Sequence, residues 1–196
     1  MKKILAASEH SGSTNAILGI IQRLINDKKA EIAVAACGPA EDIFSKSDIS
    51  FKKVEDKSFP YIDSFVREYD PDLILTGNAP EEVIDKQFSL SGKQRGIATL
   101  SVLDFPAYYH ERFSGATLED RFKFMPDHLV VLNEAVVKEM IAQGFRSDKL
   151  LPYGQPYFDD ISSFRSQWTN DKIQETRSVY GISMNERVLV FLSQPK

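Results

Sequence analysis

The sequence predicts an α/β protein with a Rossmann-like, doubly wound parallel sheet over residues 1–154. Short apolar runs rich in β-branched residues alternate with longer segments whose apolar residues recur at helical spacing. The short runs are apolar along their whole length, as strands are when helices cover both faces of a sheet. Regular alternation of strand and helix places parallel strands side by side, so the fold class follows from these two observations.

Each predicted strand is a short apolar run, and the third alternates in the manner of an edge strand. The strands are expected at residues 3–8, 31–37, 49–54, 72–77, 97–104, 127–133 and 149–154. Helices are expected between them, at residues 14–28, 40–46, 59–70, 80–94 and 134–144. Thr14 is the predicted N-cap of the first helix, Pro80 lies in the first turn of the fourth, and Gly144 closes the last. Residues 105–125 are predicted to be irregular.

The strand and helix alternation ends after the last of these strands, and a domain boundary is predicted there. The segment YGQPYFDDISSF carries a glycine and a proline and is typical of a domain boundary. We expect residues 155–184 to be a linker with two helices, at 157–167 and 170–180. The apolar run VLVFL then predicts residues 185–196 to be the first strand of a carboxyl-terminal domain that the chain lacks. The alternative is that this run joins the first sheet of a stand-alone, flavodoxin-like binding protein.

Composition excludes several classes of function. The 196 residues are 42% hydrophobic and 27% charged, as in a globular protein with a proper core. A net charge of −4 gives no electrostatic reason to expect a nucleic-acid partner. The single Cys37 excludes an internal disulfide, and no His/Asp/Glu group has the spacing of a metal site. No apolar run is long enough to cross a bilayer, so a cytoplasmic protein is expected, with peripheral contact to the inner membrane face left open.

Ligands of open parallel sheets bind outside the carboxyl ends of the strands. Four segments follow predicted strands there: residues 8–14, 77–82, 104–113 and 133–135. His10 and Asp104 are the candidate catalytic residues. The His10 imidazole could take a proton from an acceptor hydroxyl, and Asp104 is an acid that ends an apolar strand at the ligand edge. The candidate substrate contacts are Ser8, Glu9, Ser11, Gly12, Ser13, Gly77, Asn78, Tyr108, Tyr109 and Arg112.

Each of these segments also has a structural interpretation. SEHSGST is neither a P-loop nor a dinucleotide fingerprint, and it could be an ordinary turn with His10 on the surface. Glu81 and Glu82 are expected only to complement the dipole of the following helix. Six aromatic residues lie between 105 and 125: Phe105, Tyr108, Tyr109, Phe113, Phe122 and Phe124. These residues form either a small core beneath a folded loop or a platform for a sugar or lipid-linked acceptor. In the second case Arg112 would bind a phosphate group.

Several segments form a recognisable series: DPDLILTG, GIATLSVLD, PDHLVVLNEAVVKEMIAQGFRSDKLLPYGQPYFDDI and, last, ERVLVFLSQP. Together they resemble the amino-terminal half of GT-B-type glycosyltransferases and the related sugar-nucleotide epimerases, with ERVLVFLSQP as the first strand of the second domain. This resemblance implies an acceptor domain here and a nucleotide-sugar donor on a domain beyond Lys196. It further implies no cofactor in this chain, chemistry without a metal, and no turnover by the chain alone. The loop with His10 would supply acceptor contacts or the base, with Asp104 as its rival.

Departures from the family patterns narrow the expected reaction. Lipid-linked N-acetylglucosaminyltransferases of this fold carry G-G-T-G-G-H after the first strand, where this chain has SEHSGS. The 2-epimerase motifs H-G-D-T and H-V-E-A-G are replaced by TGNA and LDFPA, so Asn78 stands in place of an acid. Transfer of a glycosyl or polyol-phosphate group for cell-surface polysaccharide is therefore expected before epimerisation. The remaining alternative is a non-catalytic subunit of a bipartite transferase, with VLVFL contacting its partner.

Overall fold

The computed structural model describes residues 1–81 and 83–192. The chain divides into two compact units, the first formed by residues 1–157 and the second by the rest. The first unit contains the whole sheet. No helix in the described ranges is both long and apolar enough to cross a membrane.

The first unit is built on a seven-stranded sheet in which every neighbouring pair of strands is parallel. The strands are β1 (Lys2–Ser8), β2 (Ala30–Ala36), β3 (Lys52–Lys53), β4 (Leu73–Thr76), β5 (Ala98–Val102), β6 (His128–Val130) and β7 (Leu150–Leu151). Their order across the sheet is β3-β2-β1-β4-β5-β6-β7. This order confirms the predicted doubly wound Rossmann-like fold, with the third strand at an edge.

The five predicted helices lie between the strands, with two differences at their first residues. They are α1 (Ser11–Asn26), α2 (Pro39–Lys46), α3 (Phe59–Tyr69), α4 (Ile84–Arg95) and α6 (Glu134–Ala142). The short helix α5 (Tyr109–Phe113) lies in the stretch 105–125, so the prediction that this stretch is irregular throughout is wrong. The predicted N-cap Thr14 is wrong, because α1 begins earlier and His10 occupies the cap position. The placement of Pro80 in the first turn of α4 is also wrong, since that helix begins at Ile84, where a distant carboxylate binds its first amide.

Apolar side chains cover both faces of the sheet. One cluster packs α1 and α2 on β1 and β2, around Ile17, Ile21 and Phe44, all fully buried. The cluster on the opposite face packs α3 and α4 around Phe88, whose ring meets that of Phe65 edge-on at 5.8 Å between centroids. Burial of a side chain of this size contributes about 1.5–3 kcal/mol. These two layers hold the strand ends, and therefore the loops that follow them, in place.

The second unit contains α7 (Tyr157–Ser166), apart from its first residue, and α8 (Asn170–Val179), and both are close to the predicted helices. Thr169 caps α8 by accepting a hydrogen bond from the Lys172 amide at 3.3 Å. Residues 188–192 form no strand in this structure and are exposed. Residues 193–196 lie outside the described residues. The interpretation of 185–196 as the first strand of a further domain stays a prediction.

Candidate functional site

The order of the strands reverses between β1 and β4, and the loops after these two strands separate to opposite faces of the sheet. A crevice at such a switch point is where open α/β sheets bind ligands. Here the first turn of α1 lies directly on Gly77. A side chain at Gly77 would place its Cβ 2.2 Å from Cβ of Ser13 and 2.7 Å from the Ser13 backbone. The absence of a side chain at this position therefore sets how closely α1 approaches the loop after β4.

Three hydroxyl groups beneath the first turn of α1 bind one another. Ser8, Ser13 and Thr14 are completely buried. Oγ of Ser8 lies 3.0 Å from Oγ of Ser13 and accepts from the Thr14 hydroxyl at 3.0 Å. The Thr14 hydroxyl also lies 2.7 Å from the carbonyl oxygen of His10. Ser8 and Ser13, predicted as substrate contacts, thus support the loop from below, while Ser11 and Gly12 are exposed above them.

Glu9, another predicted substrate contact, connects three segments of the chain. Its side chain is buried and forms an ion pair with Lys57. Its other carboxylate oxygen accepts a hydrogen bond from the Ile84 amide at 3.2 Å, which caps α4. Its carbonyl oxygen accepts from the Ala40 amide of α2 at 3.0 Å. Burial, together with the nearby Glu9, raises the pKa of the Cys37 thiol to about 12.

Arg112 holds the loops after β4 and β5 together. Its guanidinium is buried, with 3% of the side chain exposed. Nη1 lies 2.7 Å from the carbonyl oxygen of Asn78, 3.0 Å from Asn78 Oδ1 and 2.6 Å from Asp104 Oδ1. Nε donates to the carbonyl oxygen of Ala107 at 2.8 Å. Asn78 in turn donates from Nδ2 to the carbonyl oxygen of Val102 at 2.7 Å, so this predicted contact is also part of the scaffold.

Asp104 is a partly accessible acidic group at this edge, with 16% of its side chain exposed. Its Oδ1 accepts a hydrogen bond from Arg112. Its Oδ2 lies beside Gly12, so close that a Cβ added to this glycine would be 2.6 Å from the oxygen. Burial raises the pKa of Asp104 above its ordinary value, against the opposing effect of the Arg112 charge. A carboxylate with an elevated pKa and one oxygen turned to the exposed turn of α1 can accept a proton from a hydroxyl group.

The other predicted aromatic and imidazole groups divide between surface and core. His10 is half-buried at the N-cap of α1, and Tyr108 is 64% exposed with a left-handed backbone, φ +57°. Tyr109 is buried, and its hydroxyl donates to Glu139 at 2.8 Å. Tyr109 and Phe113 join a core, as the structural interpretation of this stretch predicts, whereas Tyr108 faces solvent. The acceptor platform stays a prediction.

Sequence reasoning missed two buried charged residues of α4. Asp85 and Lys86 are 2% and 6% exposed. Nζ of Lys86 donates to the carbonyl oxygens of Pro80 at 2.8 Å and Glu111 at 2.7 Å, which joins the loop after β4 to α5. Nothing in the local pattern distinguishes either residue from a solvated helix position. Within the described ranges, no group of three His, Cys, Asp or Glu residues could hold a metal ion.

Neither a protein-family model nor a curated protein matches this sequence. Solved structures do match. The chain aligns with UDP-GlcNAc 2-epimerase from Neisseria meningitidis bound to UDP-GlcNAc, with TM-score 0.67 and 14% identity over 94% of this chain and 55% of that one. It aligns with S. aureus MnaA in a co-structure with UDP, with TM-score 0.64 and 14% identity over 87% and 49%.

A third similar structure is MurG from Acinetobacter baumannii, with TM-score 0.57 and 8% identity over 79% of this chain and 45% of that one. Similarity at this level of identity shows the fold. The fold is therefore the Rossmann-like α/β fold of GT-B sugar-nucleotide enzymes, and this chain spans about half the length of the proteins it matches.

Proposed function

We propose that this chain is the acceptor-side half of a GT-B-type glycosyltransferase or polyol-phosphate transferase that builds cell-surface polysaccharide. The fold it shares with sugar-nucleotide enzymes supports the general class. The observation that carries the finer proposal is Asp104, a partly buried carboxyl group at the switch-point edge with one oxygen bound to Arg112 and the other beside the exposed turn of α1.

In the proposed reaction, Asp104 is the general base. An acceptor hydroxyl loses its proton to Oδ2 of Asp104 while its oxygen attacks the transferred carbon or phosphorus of the donor. The bond from that atom to the phosphate oxygen breaks, and the nucleotide leaves with the electron pair. Burial raises the pKa of Asp104 toward neutral pH, and a general base is most effective when its pKa is close to the working pH. Arg112 acts by positioning Asp104, since it is buried and bound on several sides.

The remaining roles divide between this chain and the other half. His10, Ser11, Gly12 and Tyr108 provide the accessible surface for a sugar or a lipid-linked acceptor. His10 is the rival base, because it is half-buried at the first turn of α1. The nucleotide-sugar donor would bind a second Rossmann-like domain, in the same chain or in a partner subunit.

The test uses the protein at the length produced by its native source, together with any subunit that copurifies. Transfer from labelled nucleotide sugars and nucleotide-linked polyol phosphates to lipid-linked and free saccharide acceptors is measured for wild type, Asp104→Asn and His10→Ala. We expect Asp104→Asn to lower kcat at least 100-fold with a small change in KM. Asp42→Asn, at an exposed position of α2, is the matched control. Near-normal kcat in Asp104→Asn would remove Asp104 as the base, and a loss only in His10→Ala would move that role to His10.

The second candidate is a 2-epimerase-like enzyme, for which the similarity to the Neisseria meningitidis structure is the support. Asn78 weighs against it, because this side chain is a buried amide bonded to Val102 and Arg112 and cannot act as an acid. Incubation with UDP-GlcNAc in deuterated water separates the two reactions. Deuterium at C2 of the recovered sugar would establish epimerisation, whereas transfer leaves C2 unlabelled.

A further inference from the structure

Asp85 is a buried carboxyl group with no hydrogen-bond partner among the described residues. It lies in the first turn of α4 with 2% of its surface exposed, and within the described ranges neither Oδ1 nor Oδ2 has a partner at hydrogen-bond geometry. Buried polar atoms in folded proteins are nearly always hydrogen-bonded, to protein or to ordered water. An ionised carboxylate in such a place would be especially unfavourable. The surroundings of Asp85 must therefore keep it neutral, supply a partner, or do both.

The charges that face Asp85 favour its neutral form. From the loops after β1 and β5 it meets the carboxylates of Glu9 and Asp104, and burial outweighs every other influence on its pKa. The nearby Cys37 thiol keeps its proton. The cations Lys86 and Arg112 line the same cavity, but the structure directs them to Pro80, Glu111, Asn78 and Asp104. The adjacent Ser13 hydroxyl offsets only part of the effect of burial.

Asp85 is one of the mostly polar residues that line a small cavity. Its lining includes Asn78, Ser89 and Ser101, and it leaves about 10 Å³ for the centre of a water molecule. That is about the space that one water requires, and an internal water needs two to four polar partners. The hydroxyls of Ser89 and Ser101 lie 3.4 Å and 2.5 Å from Thr76 Oγ1, and each has further capacity for a hydrogen bond.

We propose that this cavity binds one internal water molecule, which joins the protonated carboxyl group of Asp85 to the hydroxyl groups of Ser89 and Ser101. The water would lie behind Asn78. Asn78 accepts hydrogen bonds from Arg112, which also binds and orients Asp104. The pair formed by Asp85 and its water is then a proton-dependent support for the switch-point loops. Loss of the Asp85 proton places a third carboxylate beside Glu9 and Asp104, which destabilises the loops that hold them. This holds whatever reaction the protein performs.

The first experiment measures unfolding by urea from pH 5 to 9 for wild type, Asp85→Asn and Asp42→Asn. A neutral amide at 85 keeps partners for the water but cannot ionise. Burial raises the pKa of folded Asp85 to about 8, whereas the unfolded carboxyl group releases its proton near pH 4. The folded state therefore holds one extra proton between these values, and stability falls as pH rises. Relative to Asp85→Asn, the unfolding constant of wild type should rise about tenfold per pH unit up to pH 8, and then level off.

The control Asp42→Asn should follow wild type, because Asp42 is exposed on α2. Parallel curves for wild type and Asp85→Asn would overturn the proposal. If Asp85→Asn does not fold, the carboxyl carbon of Asp85 in labelled wild-type protein is titrated by NMR instead. A midpoint near 8 supports a protonated Asp85, and a midpoint below 5 overturns it.

The second experiment looks for the water itself. Cross-relaxation between a long-lived internal water and the Asn78 side-chain amide is measured by NMR in wild type and in Asp85→Leu, which fills the site with apolar atoms. We expect the signal in wild type and its loss in the variant. A folded wild-type protein with no such signal would exclude the internal water.

Discussion

Replacement of Arg112 by alanine should destabilise the first unit strongly. The guanidinium is 3% exposed, and it binds Ala107, Asn78 and Asp104 at 2.6–3.0 Å. Truncation removes these bonds and leaves the partly buried Asp104 carboxylate without its cation. Breaking a buried ion pair on one side costs about 3–5 kcal/mol. For a unit of this size, that corresponds to a melting temperature roughly 10 °C lower.

The loss should also depend on pH. Without the Arg112 charge, the pKa of Asp104, already raised by burial, rises further. A raised pKa in the folded state makes stability fall as pH increases, so Arg112→Ala should be more damaging at pH 8 than at pH 5. Urea unfolding at pH 5 and pH 8, followed by far-UV circular dichroism, measures both the loss of stability and its pH dependence. Arg23→Ala is the control, since its ion pair with Asp27 is exposed and 2.9 Å long, and little change is expected. Wild-type stability of Arg112→Ala at pH 8 would refute the role of Arg112 as the connection between these loops.

Two further predictions concern buried sites near the strand ends. Gly77→Ala should lower the free energy of unfolding by roughly 3 kcal/mol, because a Cβ there would lie 2.7 Å from backbone atoms of Ser13. Gly19→Ala is the control and should leave stability unchanged, since its Cβ would contact Pro156 at an ordinary 3.6 Å. Equal stability of the two variants would contradict the close approach of α1 to Gly77. Cys37, with its pKa raised to about 12, should react with iodoacetamide at pH 8 roughly a thousandfold more slowly than in urea, and rapid labelling of the native protein would show that the thiol is not buried.

Local pattern was sufficient for the fold class and for most strands and helices, although not for every helix boundary. The run ILAA within residues 3–8 and the run LIL within 72–77 have no polar interruption, and the structure places both at the centre of the sheet. Strand and helix propensities act over a few residues, and short right-handed crossovers then limit how such units can assemble. The edge at which ligands bind follows from the same rules, so the loops with His10 and Asp104 could be identified from the sequence.

Tertiary contacts decided which side chains in those loops are accessible. Ser8 and Ser13 look like ligand contacts in the sequence, yet the close approach of α1 to Gly77 buries both. Glu9 reaches the first amide of α4 and caps it, although the two are 75 residues apart. Such contacts depend on the packing of whole helices against the sheet, and no pattern within a few residues records them.

The sequence by itself therefore determined the parallel α/β architecture and the edge that carries the candidate site, because both follow from local apolar periodicity. Only the tertiary structure separated Asp104, which keeps an accessible oxygen, from Arg112, which is buried and positions it. Asp85 is an unexceptional helix residue in the sequence, and only the tertiary structure places its carboxyl group near Glu9 and Asp104. The physical reason is that burial and charge are properties of an environment assembled from distant segments.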